Sequence, residues 1–195
     1  IEKELEEIWE PQSKLWDIYA LGEHRIMCWD STNPEHVSLL VNSRPETSWN
    51  ISMLYYDPTY NIGLDYSKWL SNGKQYWWKK TNDEKTKEAY KEFLTSAFTN
   101  GLTHANPDTH VFCWNDPNGI GLIQNIFTSL KLEPRRVCLW IKNNMNATPQ
   151  IAFNRSYEPC VYATRWKPYL SPDLRNLTEV LDKEVWVWNR VLEDI

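Results

Sequence analysis

Apolar residues recur along this chain in two patterns: short continuous runs that fit strands, and three- or four-residue spacings that fit helices. Strands are predicted near residues 24–30, 51–57, 109–115, 135–142 and 157–164, and helices near 34–42, 83–100 and 119–131. The second helix has the clearest stripe, formed by Ala89, Tyr90, Phe93, Leu94, Ala97 and Phe98, with Asn82 or Asp83 as N-cap and Gly101 as stop. Strands alternating with helices predict an α/β fold, a three-layer arrangement around a mostly parallel sheet. No internal repeat or low-complexity tract interrupts the pattern. One domain is expected at 195 residues. Ahead of it, residues 1–14 form an acidic extension that reads as a linker, ending near Glu10-Pro11-Gln12-Ser13.

One predicted strand ends in residues suited to chemistry. The run Ile51-Ser52-Met53-Leu54-Tyr55-Tyr56 is closed by Asp57-Pro58-Thr59-Tyr60. A carboxylate, a proline and an aromatic ring therefore sit at a strand's C-terminal end, the edge where open α/β sheets bind ligands. Taken alone, such a tetrapeptide is more often a plain strand-ending turn. It resembles the D-P-P-Y motif of amino-group DNA methyltransferases, the N6-adenine and N4-cytosine class, with Thr59 in place of the second proline. Other segments are similar to that family in its own order. Leu21-Gly22-Glu23-His24-Arg25-Ile26-Met27-Cys28-Trp29-Asp30-Ser31 resembles the strand L-G-x-H-R-x-x-C-G-D-S. Asn61-Ile62-Gly63 follows the tetrapeptide directly, and Leu139-Trp140-Ile141-Lys142-Asn143 looks like a late W-x-K-N strand. The stretch from Asn154-Arg155-Ser156-Tyr157-Glu158-Pro159 to Arg165 is close to N-R-x-Y-E-P-x-x-Y-x-x-x.

The resemblance covers residues 15 to 190 or so. It implies a Rossmann-like methyltransferase sandwich over residues 15–195, S-adenosylmethionine as cofactor, and double-stranded DNA with a flipped target base as partner. The exocyclic amine of a base is a poor nucleophile because its lone pair is delocalised. A carboxylate and a backbone carbonyl can accept its N–H bonds and aim the lone pair at a sulfonium methyl, while an aromatic ring stacks on the extruded base. The resemblance thus gives Asp57 and the Pro58 carbonyl the amine, Thr59 the turn, and Tyr60 the base. Asp30 is the implied partner of the adenosyl group, with Ser31 and Asp57 beside the cofactor. Asn61, Lys79, Lys80, Lys142 and Arg155 are the candidate nucleic-acid contacts.

Charge sharpens this picture. The net charge of −5 looks wrong for a DNA-binding protein, but the charges are segregated. Residues 1–35 carry nine acids and three bases, whereas residues 131–170 carry seven bases and two acids. Residues 68–91 hold seven lysines interleaved with Trp69, Tyr76, Trp77, Trp78 and Tyr90, a mixture suited to phosphates and stacked bases; a solvated lysine-rich face is the plain alternative. Cys28, Cys113, Cys138 and Cys160 lie far apart without C-x-x-C spacing, which argues against zinc and a disulfide scaffold. No apolar stretch is long enough to span a membrane, and the opening residues are acidic where a secretory segment is basic. A cytoplasmic protein of a bacterial or phage-infected cell is expected. Pro159-Cys160 is similar to the nucleophile of cytosine-C5 enzymes, but its place inside a predicted strand makes it structural.

Two features depart from the family pattern. Its permuted class places a proline- and lysine-containing cofactor motif and an F-x-G-x-G loop after the segments above, and neither occurs before Ile195. The nearest candidate, Asp116-Pro117-Asn118-Gly119-Ile120-Gly121, reads as an ordinary strand-to-helix turn. A sheet incomplete on its C-terminal side is therefore expected, with a second chain or a C-terminal continuation supplying the cofactor loop. The other reading open at this point is a non-catalytic nucleic-acid-binding or assembly subunit that keeps the fold. The second departure is twelve Trp against six Gly. Trp16, Trp29, Trp166 and Trp188 fall where the resemblance leads to glycine, and Trp77 and Trp78 fall in a polar loop. Either UGA codons read as glycine in the source have been translated as tryptophan, or the rings serve in packing and stacking. Positive φ at Trp29 or Trp166 favours the first reading.

Overall fold

The computed structural model describes residues 13–14, 17–43, 51–63, 83–146, 153–175 and 177–182. In chain order its elements are β1 (Ile18–Leu21), β2 (His24–Met27), α1 (Pro34–Asn42), β3 (Ile51–Tyr56), α2 (Lys87–His104), β4 (Ala105–Trp114) and a 3-10 turn at Pro117–Gly119. Then come α3 (Ile120–Ser129), β5 (Glu133–Asn146), β6 (Arg155–Arg165), a second 3-10 turn at Pro172–Leu174, and β7 (Val180–Asp182). Each predicted helix and strand has its counterpart. Four-residue β1 and three-residue β7 were not predicted, being too short to carry a period.

Local chemistry fixes the helix ends. Asn33 caps α1 by accepting the Glu35 N–H at 2.9 Å, and Pro34 occupies the first turn, where its missing N–H has no bond to lose. The N-cap of α2 is Thr86, whose hydroxyl accepts the Ala89 N–H at 3.2 Å, and not Asn82 or Asp83 as the spacing suggested. Nor does Gly101 stop this helix, which runs on to His104. The glycine serves close packing instead: a Cβ there would lie 2.0 Å from the Tyr56 hydroxyl on β3.

β1 and β2 form a separate antiparallel hairpin, turning at Gly22 with φ of 60°, so the 24–30 segment lies outside the main sheet. The main sheet has the order β3-β4-β6-β5-β7. β3 is parallel to β4 and β7 to β5, while β6 is antiparallel to both its neighbours. Four strands thus run one way and β6 alone runs back. Residues 147–154 join β5 to β6, fewer than the dozen or so a parallel crossover requires, which explains the reversal.

Helices α2 and α3 cover one face of this sheet. Leu94, Phe98 and Leu102 from α2 and Ile123, Ile126 and Phe127 from α3 pack on Val111 and Cys113 of β4 and Val161 and Ala163 of β6. Phe98 lies 5.0 Å from Phe127 and 4.8 Å from Tyr56, ring centre to ring centre. Burying each such side chain contributes about 1.5–3 kcal/mol. On the opposite face, His110 and Phe112 alternate with the core residues of β4, and Tyr162 does so on β6. Among the described residues the covering layer there is formed by residues 169–175 and 177–179, after β6.

The tryptophan positions give a split result. Trp166 has φ of 55° and is 74% exposed, the conformation a glycine adopts freely. Trp29 is not among the residues with positive φ, and its ring lies 4.1 Å from that of His36. Trp16, Trp77, Trp78 and Trp188 lie outside the described residues.

Candidate active site

β3 and β4 end together, with Tyr56 opposite Cys113, so the turns that follow them share one edge of the sheet. Asp57 and Thr59 are exposed there, and Pro58 and Tyr60 half-buried. The Tyr60 hydroxyl donates to Asp57 Oδ1 at 3.0 Å. Burial, then the Asp57 charge, pushes the Tyr60 phenol well above its ordinary range, so it stays a donor.

The backbone of this turn is held from outside. The Asp83 carboxylate, only 3% exposed, accepts the Asn61 N–H at 2.6 Å and the Ile62 N–H at 3.3 Å. The Gly63 N–H reaches the Asp83 carbonyl at 3.1 Å. Asn61 and Gly63 both have positive φ, 56° and 64°, which asparagine and glycine tolerate best. The Asn61 side chain forms two bonds to the Lys85 backbone, at 2.6 and 2.9 Å. A second support comes from the core: Asn115 Nδ2 donates to the Tyr90 hydroxyl at 2.6 Å, which donates to the Thr59 carbonyl at 2.8 Å. Asn115 is fully buried against Gly119, where a Cβ would sit 2.0 Å from Asn115 Oδ1.

Asp83, Tyr90 and Asn115 were not picked out as site residues in the sequence. Asp83 reads there as a helix-start acid, and Tyr90 as part of the helix stripe and as one of the rings of the lysine-rich stretch. The available signal was Asn115, a polar residue directly after the apolar strand Val111-Phe112-Cys113-Trp114.

The candidate contact residues stand nearby, already paired. Lys142 forms an ion pair with Glu158 and lies 4.6 Å over the Trp140 ring. Trp140 meets Trp114 edge-on at 6.3 Å, and the Trp114 indole donates to the Tyr55 hydroxyl. Arg155 pairs with the buried Asp116 at 2.5 Å, while its Nε is buried without a partner. Lys79 and Lys80 lie outside the described residues. A cleft of about 400 Å³ opens beside the tetrapeptide, lined by Tyr60, Asn61, Lys87, Tyr90, Asp116 and Leu122 among others.

Asp30 and Ser31 share no hydrogen bond with the tetrapeptide among the described residues. Asp30 Oδ1 accepts from the Thr32 hydroxyl at 2.7 Å and the Thr32 N–H at 2.8 Å, and these bonds, the hydroxyl's first, hold its carboxyl below the usual range. The Ser31 carbonyl accepts from Asn100 Nδ2 at 3.0 Å. Asn100 lies about 15 Å along α2 from Tyr90 at 1.5 Å rise per residue, so Ser31 and Thr59 are tied to separate points of this helix, with Tyr56, beside Asp57, packed between them against Ala97 and Phe98. The Asp116–Gly121 segment is a capped turn, with Asp116 Oδ1 accepting the Asn118 N–H at 3.0 Å. Cys160 is buried within β6, and burial pushes its thiol up to about 12, which leaves it protonated and inert.

No protein-family model and no curated protein matches the chain. Among solved structures, M1.HpyAVI is similar at 10% identity and a TM-score of 0.44, over 74% of this chain and 60% of that one. The M1.HpyAVI–SAM complex is similar at 11% identity and the same TM-score, over 73% of this chain and 58% of that one. The chain matches about three-fifths of the length of these structures.

Proposed function

We propose that the chain is the catalytic region of a DNA methyltransferase of the permuted amino-group class, acting on adenine N6 or cytosine N4. The observation that carries this reading is the exposed Asp57 carboxylate at the end of β3, on a turn whose backbone is fixed by Asp83, Tyr90 and Lys85. A turn held in that way presents acceptors in a set geometry, as positioning of a weak nucleophile demands. Asp57 and the Pro58 carbonyl accept the two N–H bonds of the target amine, and the carboxylate is the nearest acceptor for the proton the nitrogen sheds. Tyr60, tied to Asp57 by its hydroxyl, gives its ring to the flipped base. Thr59 keeps its carbonyl on Tyr90, and the proline it replaces would have fixed φ as well. Asn61, Lys79, Lys80, Lys142 and Arg155 face the DNA in this reading. Lys142 and Arg155 would exchange carboxylate partners for phosphates.

S-adenosylmethionine, the ligand in the M1.HpyAVI–SAM complex, is the proposed cofactor. When bound it supplies an electrophilic methyl group. The described residues fit the methyl-donor side of such a group, at Asp57. On the adenosyl side, Asp30 has its carboxylate on Thr32 and Ser31 is tied to α2 through Asn100. β3 is an edge strand among the described residues, and a second chain or a continuing polypeptide would add the adenosyl side along it. Thr59 in place of the second proline favours the second reading, a DNA-binding or assembly subunit without turnover.

The test is transfer of a labelled methyl group from S-adenosylmethionine to duplex DNA, measured beside DNA affinity. Asp57→Ala is expected to lower transfer by at least about a hundredfold, the scale of losing one preorganised group, with DNA affinity unchanged. Full transfer by Asp57→Ala would remove the site assignment. No transfer and no cofactor binding by the parent chain would favour the non-catalytic reading.

A further inference from the structure

A further cavity of the described molecule lies away from the Asp57 edge. It is a chamber of about 710 Å³ on the sheet face opposite α2 and α3, roofed by residues 169–175 and 177–179. That roof is fastened at both ends: the Tyr169 carbonyl takes His110 Nε2 at 3.0 Å, and the Glu179 carbonyl takes the Leu139 N–H at 2.9 Å. Between these points the 3-10 turn Pro172–Leu174 arches over the strands.

The floor is aromatic. Phe112 and Tyr162 stack at 4.7 Å with their planes 17° apart, and His110 continues the row at 5.9 Å from Tyr162. Because the Tyr169 carbonyl can only accept, His110 Nε2 carries a proton, which fixes the ring against Tyr162 through a 2.9 Å bond at Nδ1. The lining also holds three guanidinium groups, Arg135 and Arg136 from β5 and Arg175 from the roof, against one acid, Glu179. Arg135 is partly committed to Thr164 and Glu133. Arg136 uses only NH1, on the Arg135 carbonyl, and both it and Arg175 are exposed at the mouth.

We propose that this chamber binds a nucleoside phosphate, with the base against the aromatic row and the phosphate held by Arg136 and Arg175. Guanidinium pairs bind phosphate through paired N–H bonds, and the edges of a stacked aromatic row offer a base an apolar, edge-to-face contact. The volume lies within the range of small-ligand sites. Glu179 stands as an acceptor for ribose hydroxyls or an exocyclic amine. The inference rests on this face alone and does not depend on the methyltransferase reading.

Titration calorimetry of the full chain with AMP tests it, alongside adenosine, inorganic phosphate and a short 5′-phosphorylated DNA strand. Saturable AMP binding is expected, with adenosine and phosphate each at least about tenfold weaker, or about 1.4 kcal/mol. A strand that competes with AMP would identify the source as a nucleic-acid end, and one that does not would identify a free nucleotide. The double variant Arg136→Ala/Arg175→Ala changes exposed side chains only and is expected to weaken AMP at least about tenfold. A second readout uses Cys138, a half-buried thiol in the lining. With Cys28→Ser removing the exposed thiol, and Cys113 and Cys160 buried, alkylation reports on Cys138. AMP should slow that alkylation in the parent and not in the double variant. Absence of saturable binding up to about 5 mM, or binding indifferent to the double substitution, would overturn the proposal.

Discussion

Two Asp-Pro turns stand side by side at one edge of the main sheet, and they use their aspartates in opposite ways. Asp116, after β4, is 6% exposed and spends its carboxylate on its own surroundings. One oxygen accepts from the Asn118 backbone and side chain at 3.0 and 2.8 Å, and the other from Arg155 at 2.5 Å. Asp57, after β3, is exposed and takes a bond from Tyr60, while Asp83, Lys85 and Tyr90 hold the turn's backbone. A turn that fixes itself consumes its carboxylate. A turn fixed from elsewhere leaves its carboxylate facing outward, and chemistry needs the second kind.

The contrast breaks most directly by comparing the two aspartates in denaturant unfolding. Asp116→Ala strands Arg155 in a part-buried position and is expected to destabilise by about 3 kcal/mol or more. Asp57→Ala, at an exposed carboxylate, should change stability by about 0.5 kcal/mol or less. Equal losses would mean that Asp57 is as structural as Asp116.

Tyr90→Phe probes the outside support. It leaves the Thr59 carbonyl and the Asn115 amide without their shared hydroxyl and is expected to cost about 1–3 kcal/mol. The same variant sharpens the alkaline limit. Burial, more than any other influence, pushes the Tyr90 hydroxyl up to about 12 from its ordinary 10.0. A raised value means that the folded state favours the protonated phenol. Its contribution is therefore complete below pH 10.0 and is lost as pH rises toward about 12. Stability measured across that window should fall less steeply in Tyr90→Phe, with the half-buried Tyr56 and Tyr60 sustaining the remaining slope. An unchanged slope would exclude Tyr90 as a contributor.

The smallest effect belongs to the tryptophans. Trp166→Gly relieves a left-handed backbone and should raise stability by about 1 kcal/mol. Trp29→Gly should bring no gain, since it gives up the contact with His36. Codons are the independent check: UGA at Trp166 would make glycine the residue that the source organism places there, and UGG would make the strained tryptophan genuine.

The periodic elements were legible in the chain because periodicity is itself the cause of burial. The stripe of Tyr90, Leu94, Ala97 and Phe98 predicts a helix face, and that face is the one that packs on the sheet. The Asp57–Tyr60 turn was legible through its residue types and their place after an apolar run. Less legible were ends and pairings. Asp83 looked like a cap and supports a distant loop, and Gly101 looked like a stop and admits the Tyr56 hydroxyl. Both depend on residues brought close from tens of positions away, which no local spacing encodes.

By itself, then, the sequence determined which segments become helices and strands and which turn carries an acid, a proline and an aromatic ring. Propensity, hydrophobic period and backbone chemistry act over a few neighbours, so the chain states them directly. Only the tertiary structure decided that β6 runs against its neighbours, that Asp83 and Tyr90 hold the turn that carries Asp57, and that Arg136 and Arg175 line one chamber. Those outcomes follow from long-range pairing and from the close packing of a single core, where each position is set by all the others at once.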